Sequence, residues 1–256
     1  MNRNDSGARV ALVTGGAMGI GASISAQLAA RGHTVLVADI NLEAASKTAD
    51  ALVAAGHRAA ALQMDLGSPE AIAQAFAHIE KDYGRCDVLV NNAGVARTYS
   101  FLDYPLDNWL QTMNVNVTGV LLAGQHAARL MVSKGWGRIV NISSISGIRA
   151  GAGRTAYGTS KAAVIGLTRQ MAIELAQYGI TVNSVAPGPV DTPMTQAMHS
   201  EQTRESYYRL VPMRRYGTTD EIASAVCYLA AEESAYITGH VIPVDGGFVA
   251  GGVLEI

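Results

Sequence analysis

Short apolar runs alternate with longer helix-forming segments along almost the whole chain, and this alternation is the strongest constraint on its fold. The runs are rich in Val, Ile, Leu and Ala, which is typical of strands buried on both faces of a parallel sheet. They lie at Val10–Val13, Thr34–Ala38, Ala59–Met64, Val88–Val90, Arg138–Ile142, Thr181–Val185 and Val241–Val244. Strands joined by helices form right-handed crossovers, so the pattern predicts an α/β fold: a doubly wound parallel β-sheet of about seven strands flanked by helices.

The segments between the runs are rich in Ala, Leu, Gln, Glu and Lys, which favours helices. The predicted helices lie at Ser23–Ala30, Leu42–Ala55, Pro69–Lys81, Trp109–Val132, Ser160–Gln177 and Thr219–Ala231. The stretch from Pro187 to Tyr216 breaks this rhythm with four of the seven Pro. We expect residues 187–216 to form a loop that covers the substrate. A surface loop without a role in substrate binding is the alternative. Because no linker or repeat divides the 256 residues, we expect a single domain over residues 1–256.

Charge and cysteine content exclude several classes of protein. The 19 Lys plus Arg and 21 Asp plus Glu give a formal charge of -2, so nucleic acid is not an expected partner. Cys86 and Cys227 lie far apart, and the six His are scattered without an HExxH pattern, so no metal site or disulfide framework is expected. The N-terminal residues do not resemble a signal peptide, which predicts a cytoplasmic protein.

Two uncharged windows, Val10–Ala30 and Asn108–Ala128, approach the length of about 20 residues that spans a bilayer. The first contains Gly, Ser and Thr and the second contains Asn and Gln, which hydrocarbon does not accommodate unless they are paired. Both windows are therefore predicted to be buried segments of a protein without a membrane partner.

A glycine-rich turn follows the first predicted strand and precedes a helix, with the sequence TGGAMGIG at residues 14–21. Glycines at positions 15, 19 and 21 leave room for a sharp turn, for a pyrophosphate near the backbone, and for packing of the helix on the strand. The start of the helix offers free N–H groups and the positive end of its dipole. The turn predicts a dinucleotide site, and a purely structural glycine turn is the alternative.

Asp39 ends the second predicted strand, where a carboxylate can accept hydrogen bonds from both ribose hydroxyls but repels a 2′-phosphate. Since Gly16, Ala17 and Met18 bring no positive charge, NAD is favoured over NADP as the cofactor. The pair Asp65–Leu66, after the third strand, lies where an adenine edge could be bound. A helix cap for the segment after Ser68 is the alternative role of this pair.

Four side chains further along the chain are of the types that carbonyl chemistry requires. Tyr157 and Lys161 are four residues apart, so on a helix they share one face. A fixed ammonium stabilises a phenolate, and Lys161 is expected to bring the pKa of Tyr157 toward the operating pH. Ser144 is placed to hold the substrate oxygen beside Tyr157. Asn116 lies in the middle of a predicted helix, where Asn has a poor propensity.

The segments TGGAMGIG at 14–21, NNAG at 91–94 and YGTSK at 157–161, with Asn116, Ser144 and Pro187–Gly188, resemble the compact branch of the short-chain dehydrogenase/reductase family. The match runs from about Ala8 to Gly247. The resemblance implies a Rossmann-type fold and an active oxidoreductase that interconverts a secondary alcohol and a ketone. It implies that Tyr157 is the general acid/base, that Ser144 orients the substrate oxygen, that Lys161 tunes Tyr157 and binds ribose, and that Asn116 holds a proton-relay water.

The resemblance also implies which residues contact the cofactor. Asn92 would border the adenine-side ribose, while the Val190 backbone and Thr192 would bind the nicotinamide carboxamide. The full set is Gly15, Met18, Gly19, Ile20, Asp39, Ile40, Asp65, Leu66, Asn92, Gly94, Tyr157, Lys161, Pro187, Gly188, Val190 and Thr192.

The expected substrate is a small polyol, sugar or hydroxy acid. A 3-oxoacyl reductase acting on acyl-carrier-protein or CoA thioesters is the alternative. Such relatives usually prefer NADPH and hold the acidic carrier with Arg at two positions that Gly135 and Tyr178 fill here, although Lys134 and Arg138 are close.

Two other classes of protein are alternatives to a dehydrogenase or reductase. A nucleotide-sensing protein without catalysis would be expected to lose Tyr157, Lys161 or Ser144, and this chain keeps all three. An epimerase or dehydratase of the extended branch needs a larger C-terminal region than the one present here.

Several arginines could reach an anionic group of the substrate: Arg97, Arg149, Arg154, Arg204, Arg209, Arg214 and Arg215. We expect at least one of Arg149 and Arg154 to contact the substrate, and ordinary surface exposure is the alternative for each.

The helix Asn108–Ala128 and the helix that carries Tyr157 contain so many apolar residues that we do not expect their outer faces to be exposed to solvent. Because relatives pair these helices between subunits, a homotetramer is expected.

Overall fold

The computed structural model describes residues 8–252, which build one parallel β-sheet of seven strands. The strands are β1 (Val10–Thr14), β2 (Thr34–Asp39), β3 (Arg58–Gln63), β4 (Val88–Asn91), β5 (Gly137–Ile142), β6 (Ile180–Pro187) and β7 (Val241–Val244). Their order in the sheet is β3-β2-β1-β4-β5-β6-β7. The order reverses between β1 and β4, which creates a crevice at the carboxyl ends of these strands. The predicted doubly wound α/β fold is confirmed.

Helices cover both faces of the sheet. They are α1 (Gly19–Ala30), α2 (Leu42–Ala54), α3 (Pro69–Tyr83), α4 (Leu106–Met113), α5 (Gly119–Val132), α6 (Thr155–Leu175), α7 (Pro193–Met198), α8 (Glu201–Leu210) and α9 (Thr219–Leu229). Buried side chains of α1, α2 and α9 form one core cluster with the sheet, whereas those of α3, α5 and α6 form a second cluster on the other face. None of the described helices is long and apolar enough to cross a membrane.

Side chains along β1 alternate between the two clusters, as the twofold period of a strand requires. Ala11 and Val13 belong to the cluster with α1, while Val10 and Leu12 belong to the cluster with α3. The strand is therefore buried on both faces, which explains why its sequence is continuously apolar rather than alternating.

The structure corrects the expected loop at residues 187–216, because α7 and α8 lie within it. Pro193 occupies the first turn of α7, where its missing N–H is not needed, and Thr192 caps the helix with Thr195. Ser200 caps α8, and its side chain accepts from the N–H of Thr203. The prolines that suggested an irregular loop therefore include one that starts a helix.

Three helices also begin earlier than expected. The helix α1 begins at Gly19 rather than Ser23, and α6 begins at Thr155 rather than Ser160, so Tyr157 lies in its first turn. The expected helix Trp109–Val132 begins at Leu106 and contains a π-helical turn at Asn114–Thr118, between α4 and α5. Such turns add one residue to a helix and frequently occur at functional sites.

Candidate active site

The glycine-rich turn after β1 is tightly enclosed by backbone. Gly15 has a φ of +60°, and a Cβ there would lie 2.9 Å from the Cα of Ala93. A Cβ on Gly21 would lie only 2.0 Å from the carbonyl oxygen of Gly15. These positions therefore require glycine for the turn and for the packing of α1 against β1.

The N-terminus of α1 differs from those of α2 and α3, which follow the neighbouring strands β2 and β3. Met18 is its N-cap residue and makes no side-chain capping hydrogen bond. In contrast, Asn41 caps α2 and Ser68 caps α3 through side-chain oxygens. The first N–H groups of α1 therefore remain donors for an anion, and the turn fits the pyrophosphate of a dinucleotide.

Thr14 and Asn92 hold the glycine turn in place. The Asn92 side-chain amide donates to the carbonyl oxygens of Thr14 and Gly15, both at 2.9 Å. The Thr14 hydroxyl accepts from the backbone N–H groups of Asn92 and Ala93 at 3.1 and 3.2 Å. Asn92 was expected to border a ribose, and here its amide fixes the turn; sequence reasoning did not single out Thr14.

Asp39 lies at the end of β2 and contacts the same turn. Its Oδ2 accepts from the N–H of Ala17 at 3.4 Å, and its Oδ1 accepts from the N–H of Asn41 at 3.1 Å. The carboxylate thus lies beside the glycine-rich turn, and its contact with a ribose stays a prediction. Two exposed side chains, Met18 and Ile40, flank it.

The pair Asp65–Leu66 is located further along the same edge. Asp65 Oδ1 accepts from the N–H of Gly67 at 2.7 Å, and Leu66 is buried. Since Ser68 caps α3, the alternative role of Asp65 as a helix cap does not hold in this structure. Asn114, at the start of the π-helical turn, donates to the carbonyl of Gly67 at 2.8 Å and ties this segment to the site.

Asn116 lies in the π-helical turn and is fully buried. Its Oδ1 accepts from the N–H of Val95 at 2.8 Å, and its Nδ2 donates to the carbonyl of Val95 at 2.9 Å and to Ser160 Oγ at 3.0 Å. The residue therefore joins the segment after β4 to α6. This set of bonds accounts for an Asn at a position where helix propensity alone is unfavourable.

Gly94 lies against the side chains of both Asn116 and Lys161. A Cβ at this position would be 3.2 Å from Asn116 Oδ1 and 3.4 Å from Lys161 Nζ. A side chain at this position would crowd the Asn116 amide and narrow the space beside the Lys161 ammonium.

Tyr157, Ser144 and Lys161 converge at the carboxyl end of β5. Ser144 and Tyr157 line the same cavity, and Ser144 Oγ accepts from the N–H of Ser146 at 3.0 Å. Lys161 Nζ donates to the carbonyl of Ile142 at 2.8 Å. The acceptor bond from Ser146 leaves the Ser144 hydroxyl proton available as a donor.

The electrostatics of this cluster differ from the sequence expectation. Burial raises the pKa of the Tyr157 hydroxyl above its usual value, and the nearby Ser144 hydroxyl and the charge of Arg154 only partly offset this. Burial also lowers the pKa of Lys161 to about 8. Lys161 Nζ lies 5.7 Å from the centre of the Tyr157 ring. Desolvation, rather than the Lys161 ammonium group, therefore dominates the pKa of Tyr157.

A cavity of about 70 Å³ opens above Ser144 and Tyr157. The helix α7 supplies Met194 and Met198, and Tyr207 of α8 also lines the cavity. The segment 187–216 thus covers the cluster with helices instead of an irregular loop.

The residues expected at the nicotinamide carboxamide already have partners in the protein. The carbonyl of Val190 accepts from Thr195 Oγ1 at 2.6 Å, while Thr192 Oγ1 accepts from the N–H of Thr195 at 3.2 Å. A Cβ on Gly19 would lie 3.8 Å from Thr192, so Thr192 faces the glycine-rich turn across the crevice. Gly188 follows Pro187 at the end of β6 and packs on Asp245, where a Cβ would lie 2.7 Å from the Cα.

The candidate arginines separate into distinct environments. Arg149 donates to the carbonyl of Phe248 at 2.9 Å, and Arg204 pairs with Asp191 at 3.2 Å. Arg154, in contrast, lines the cavity with Ser144 and Tyr157. Within residues 8–252, no cluster of three or more His, Cys, Asp or Glu side chains could hold a metal ion.

A buried polar ladder beneath the site was not foreseen from the sequence. Asn91 Nδ2 donates to Asn141 Oδ1 at 2.8 Å, and Asn141 Nδ2 donates to Thr168 Oγ1 at 2.9 Å. These bonds connect the carboxyl ends of β4 and β5 to α6. Two Asn at the ends of adjacent apolar strands are the signal in the sequence that could have indicated it.

Hydride exchange between a dinucleotide and a carbon that bears oxygen needs a phosphate-binding turn and an acid/base group at one place. This crevice brings the glycine turn, Asp39, Tyr157 and Lys161 to the same edge of the sheet. Fold and site together define a nicotinamide-dependent oxidoreductase of the Rossmann type.

Comparison with known proteins agrees with this class. A family model described as enoyl-(acyl carrier protein) reductase matches residues 15–249. The 3-oxoacyl-[acyl-carrier-protein] reductase FabG of Aquifex aeolicus is 41% identical over 240 residues, which are 93% of this chain and 96% of that protein. The chain belongs to the short-chain dehydrogenase/reductase family. It is therefore an oxidoreductase that acts on CH–OH groups with a nicotinamide cofactor.

Two further relatives are similar over almost their whole lengths. The cis-4-hydroxycyclohexanecarboxylate dehydrogenase of Sinomonas cyclohexanicum is 38% identical over 243 residues, which are 94% of this chain and 97% of that protein. The crystal structure of a gluconate 5-dehydrogenase from Burkholderia cenocepacia, in complex with NADP and tartrate, superposes with a TM-score of 0.93 at 32% identity. The superposition covers 98% of this chain and 99% of that chain.

Proposed function

We propose that the protein is an NAD-dependent dehydrogenase that interconverts a small secondary alcohol and the corresponding ketone. The observation that carries this proposal is that Ser144 and Tyr157 line one cavity, with the buried Lys161 ammonium 5.7 Å from the centre of the Tyr157 ring. A protein that only senses a nucleotide has no need for acid/base side chains that line a cavity beside the nucleotide crevice.

When bound at the glycine-rich turn, a nicotinamide cofactor would supply the hydride chemistry at the carbon that bears the oxygen. The Ser144 hydroxyl donates a hydrogen bond to the substrate oxygen and so orients it, while keeping its own proton. In reduction, Tyr157 donates its proton to this oxygen; in oxidation, it accepts the proton from the alcohol. Because burial raises the pKa of Tyr157, the residue is protonated near neutral pH and suited to reduction, whereas oxidation should accelerate as pH rises. Asn116, buried beside Ser160, holds the relay by which protons reach Tyr157.

NAD is the proposed cofactor because Asp39 presents a carboxylate beside the phosphate turn. A 2′-phosphate at this place would meet a negative charge. The Burkholderia gluconate 5-dehydrogenase was crystallised with NADP, so NADP is the competing assignment for this chain.

The proposed substrate is a small polyol, sugar or hydroxy acid. Two relatives carry names that refer to hydroxylated carboxylates, cis-4-hydroxycyclohexanecarboxylate and gluconate. These names support the hydroxy-acid member of the three substrate classes.

A 3-oxoacyl-thioester reductase is the second candidate, supported by the 41% identity with the Aquifex enzyme. The structure weakens the possible contacts to an acidic carrier protein. Gly135 and Tyr178 bring no positive charge, and Arg138 is 2% exposed and lies over the ring of Trp136 at 4.3 Å. Of the four residues considered for the carrier contact (Lys134, Gly135, Arg138 and Tyr178), only Lys134 is an exposed cation.

The test of the proposed function is a survey of initial rates with NAD and NADP against polyols, sugars, hydroxy acids and 3-hydroxyacyl thioesters. We expect turnover of at least one small alcohol with NAD, and a Tyr157→Phe variant should lose at least about a thousandfold in kcat while still binding the cofactor. Preferred turnover of thioesters would support the second candidate. Full activity of the Tyr157→Phe variant would refute the mechanism.

A homotetramer is proposed for the assembly. Leu106 on α4 is 67% exposed and Ile173 on α6 is 80% exposed, and these helices lie next to each other. Val164 and Ile165 are used inside the subunit instead, since both are buried. Exposed large apolar side chains on adjacent helices are typical of a subunit interface. Light scattering at micromolar protein concentration tests this, and a monomer would contradict it.

A further inference from the structure

The cavity above Ser144 and Tyr157 contains a positive charge. Among the residues that the structure describes, Arg154 is the arginine that lines this cavity. It directly precedes α6, whose first turn carries Tyr157, and its guanidinium carbon lies 5.8 Å from the centre of the Tyr157 ring. A substrate whose oxygen is bound by Tyr157 and Ser144 is therefore within reach of Arg154.

The charge of Arg154 is not neutralised by an acidic partner. No ion pair found among residues 8–252 involves Arg154, whereas Arg204 pairs with Asp191 and Arg215 pairs with Glu221. Its polar contact is with His199, whose Nε2 lies 2.9 Å from Arg154 Nη2. Because a guanidinium can only donate, His199 Nε2 must be the acceptor, so this His is neutral with its proton on Nδ1.

Surrounding groups keep His199 in this state. Burial lowers its pKa, and the charges of Arg154 and Arg204 lower it further. With its proton on Nδ1, His199 can donate to the hydroxyl of Tyr216, which lies 2.9 Å away. The ring also stacks on Tyr207 with 5.3 Å between the ring centres. The helical cover thus holds Arg154 in place through a neutral acceptor.

We propose that Arg154 binds the carboxylate of the substrate, and that the substrates are short hydroxy acids and the corresponding keto acids. A planar guanidinium can make two parallel hydrogen bonds to a carboxylate, and this one lies in a partly enclosed cavity without a competing anion. The cavity of about 70 Å³ has room for on the order of five water molecules, which matches a short acid. This inference rests on the proposed dehydrogenase function and narrows its substrate class.

The test compares acids with their neutral amides, for example 3-hydroxybutanoate with 3-hydroxybutanamide and lactate with lactamide. The measured quantity is the ratio of kcat/KM for each acid to that for its amide. We expect the wild-type protein to prefer an acid at least tenfold. Arg154→Gln should lower this ratio about 10- to 150-fold, mainly through the KM for the acid, since a hydrogen bond to a charged group is lost.

Arg149→Gln is the matched control, because Arg149 bonds the carbonyl of Phe248 outside the cavity and should leave the ratio unchanged. Turnover of the amide by Arg154→Gln shows that this variant is folded. An equal loss for acid and amide, or a wild-type protein that uses neutral alcohols without preferring acids, overturns the role of Arg154 but leaves the proposed function intact. Absence of turnover with every alcohol and both nucleotides would overturn both.

His199 is the positioning residue for Arg154, and a pair of variants separates this role from a structural one. Gln can accept from Arg154 and donate to Tyr216, whereas Ala can do neither. We expect His199→Ala to lower the acid-to-amide ratio and His199→Gln to restore most of it. Equal ratios in the two variants would contradict the positioning role.

Discussion

Lys161 is expected to reduce the stability of the folded protein near neutral pH, because its ammonium group is buried. The side chain is 5% exposed, and burial lowers its pKa from 10.5 to about 8. The unfolded chain therefore binds this proton more tightly than the folded one between these two values. Stability should rise with pH across that window, since the unfolded state holds more protons there.

The magnitude follows from the two pKa values. Linkage gives a contribution of about 2 kcal/mol to the change in unfolding free energy between pH 7 and about pH 9.5. Lys161→Met removes this contribution. The variant also loses the hydrogen bond to the carbonyl of Ile142, but that loss does not depend on pH and cancels in the comparison. Relative to the variant, the wild-type protein should gain about 2 kcal/mol over this range, or roughly 4 to 8 °C in Tm.

The assay is thermal or urea unfolding of wild type and Lys161→Met at several pH values and one protein concentration, since subunit association also contributes to stability. Lys47→Met is the control, because Lys47 is exposed on α2. Its stability relative to wild type should be the same at each pH. A constant difference between wild type and Lys161→Met across the window would refute the reasoning.

Two further substitutions test the cofactor site. Asp39→Asn should reduce the ratio of kcat/KM for NAD to that for NADP by about tenfold or more, because it removes the charge that repels a 2′-phosphate; a wild-type protein that already prefers NADP would contradict the role of Asp39. Gly21→Ala should destabilise the protein by about 3 kcal/mol or more in urea unfolding and weaken nucleotide binding, since the added Cβ would lie 2.0 Å from the Gly15 carbonyl oxygen. Wild-type stability of this variant would show that the turn can relax.

Much of the fold was predictable because periodic patterns along the chain specify local backbone structure. Strand residues such as Leu12 and Val90 belong to uninterrupted apolar runs, and such runs indicate strands buried on both faces. Helix starts were less predictable. The glycines of the phosphate turn gave no sign that α1 begins at Gly19, since helix propensity disfavours the residue that the turn requires.

Within the site, the spacing of Tyr157 and Lys161 was readable from the sequence, but their electrostatic state was not. The pKa of each depends on burial by residues from other elements, which a spacing of four residues does not encode. Similarly, Asn116 was noticed for its poor helix propensity, whereas the π-helical turn and the bonds to Val95 and Ser160 came only from the structure.

The sequence by itself determined the order of strands and helices along the chain, the phosphate turn and the types of the reacting side chains, because each is encoded by neighbours in the chain. The tertiary structure decided which of the equivalent arginines faces the cavity. Arg149 and Arg154 are five positions apart and chemically identical, yet one bonds Phe248 while the other contacts His199. The difference arises from partners that are distant in sequence: His199 lies between α7 and α8, and Phe248 lies after β7, so both become neighbours of the arginines only in the folded protein.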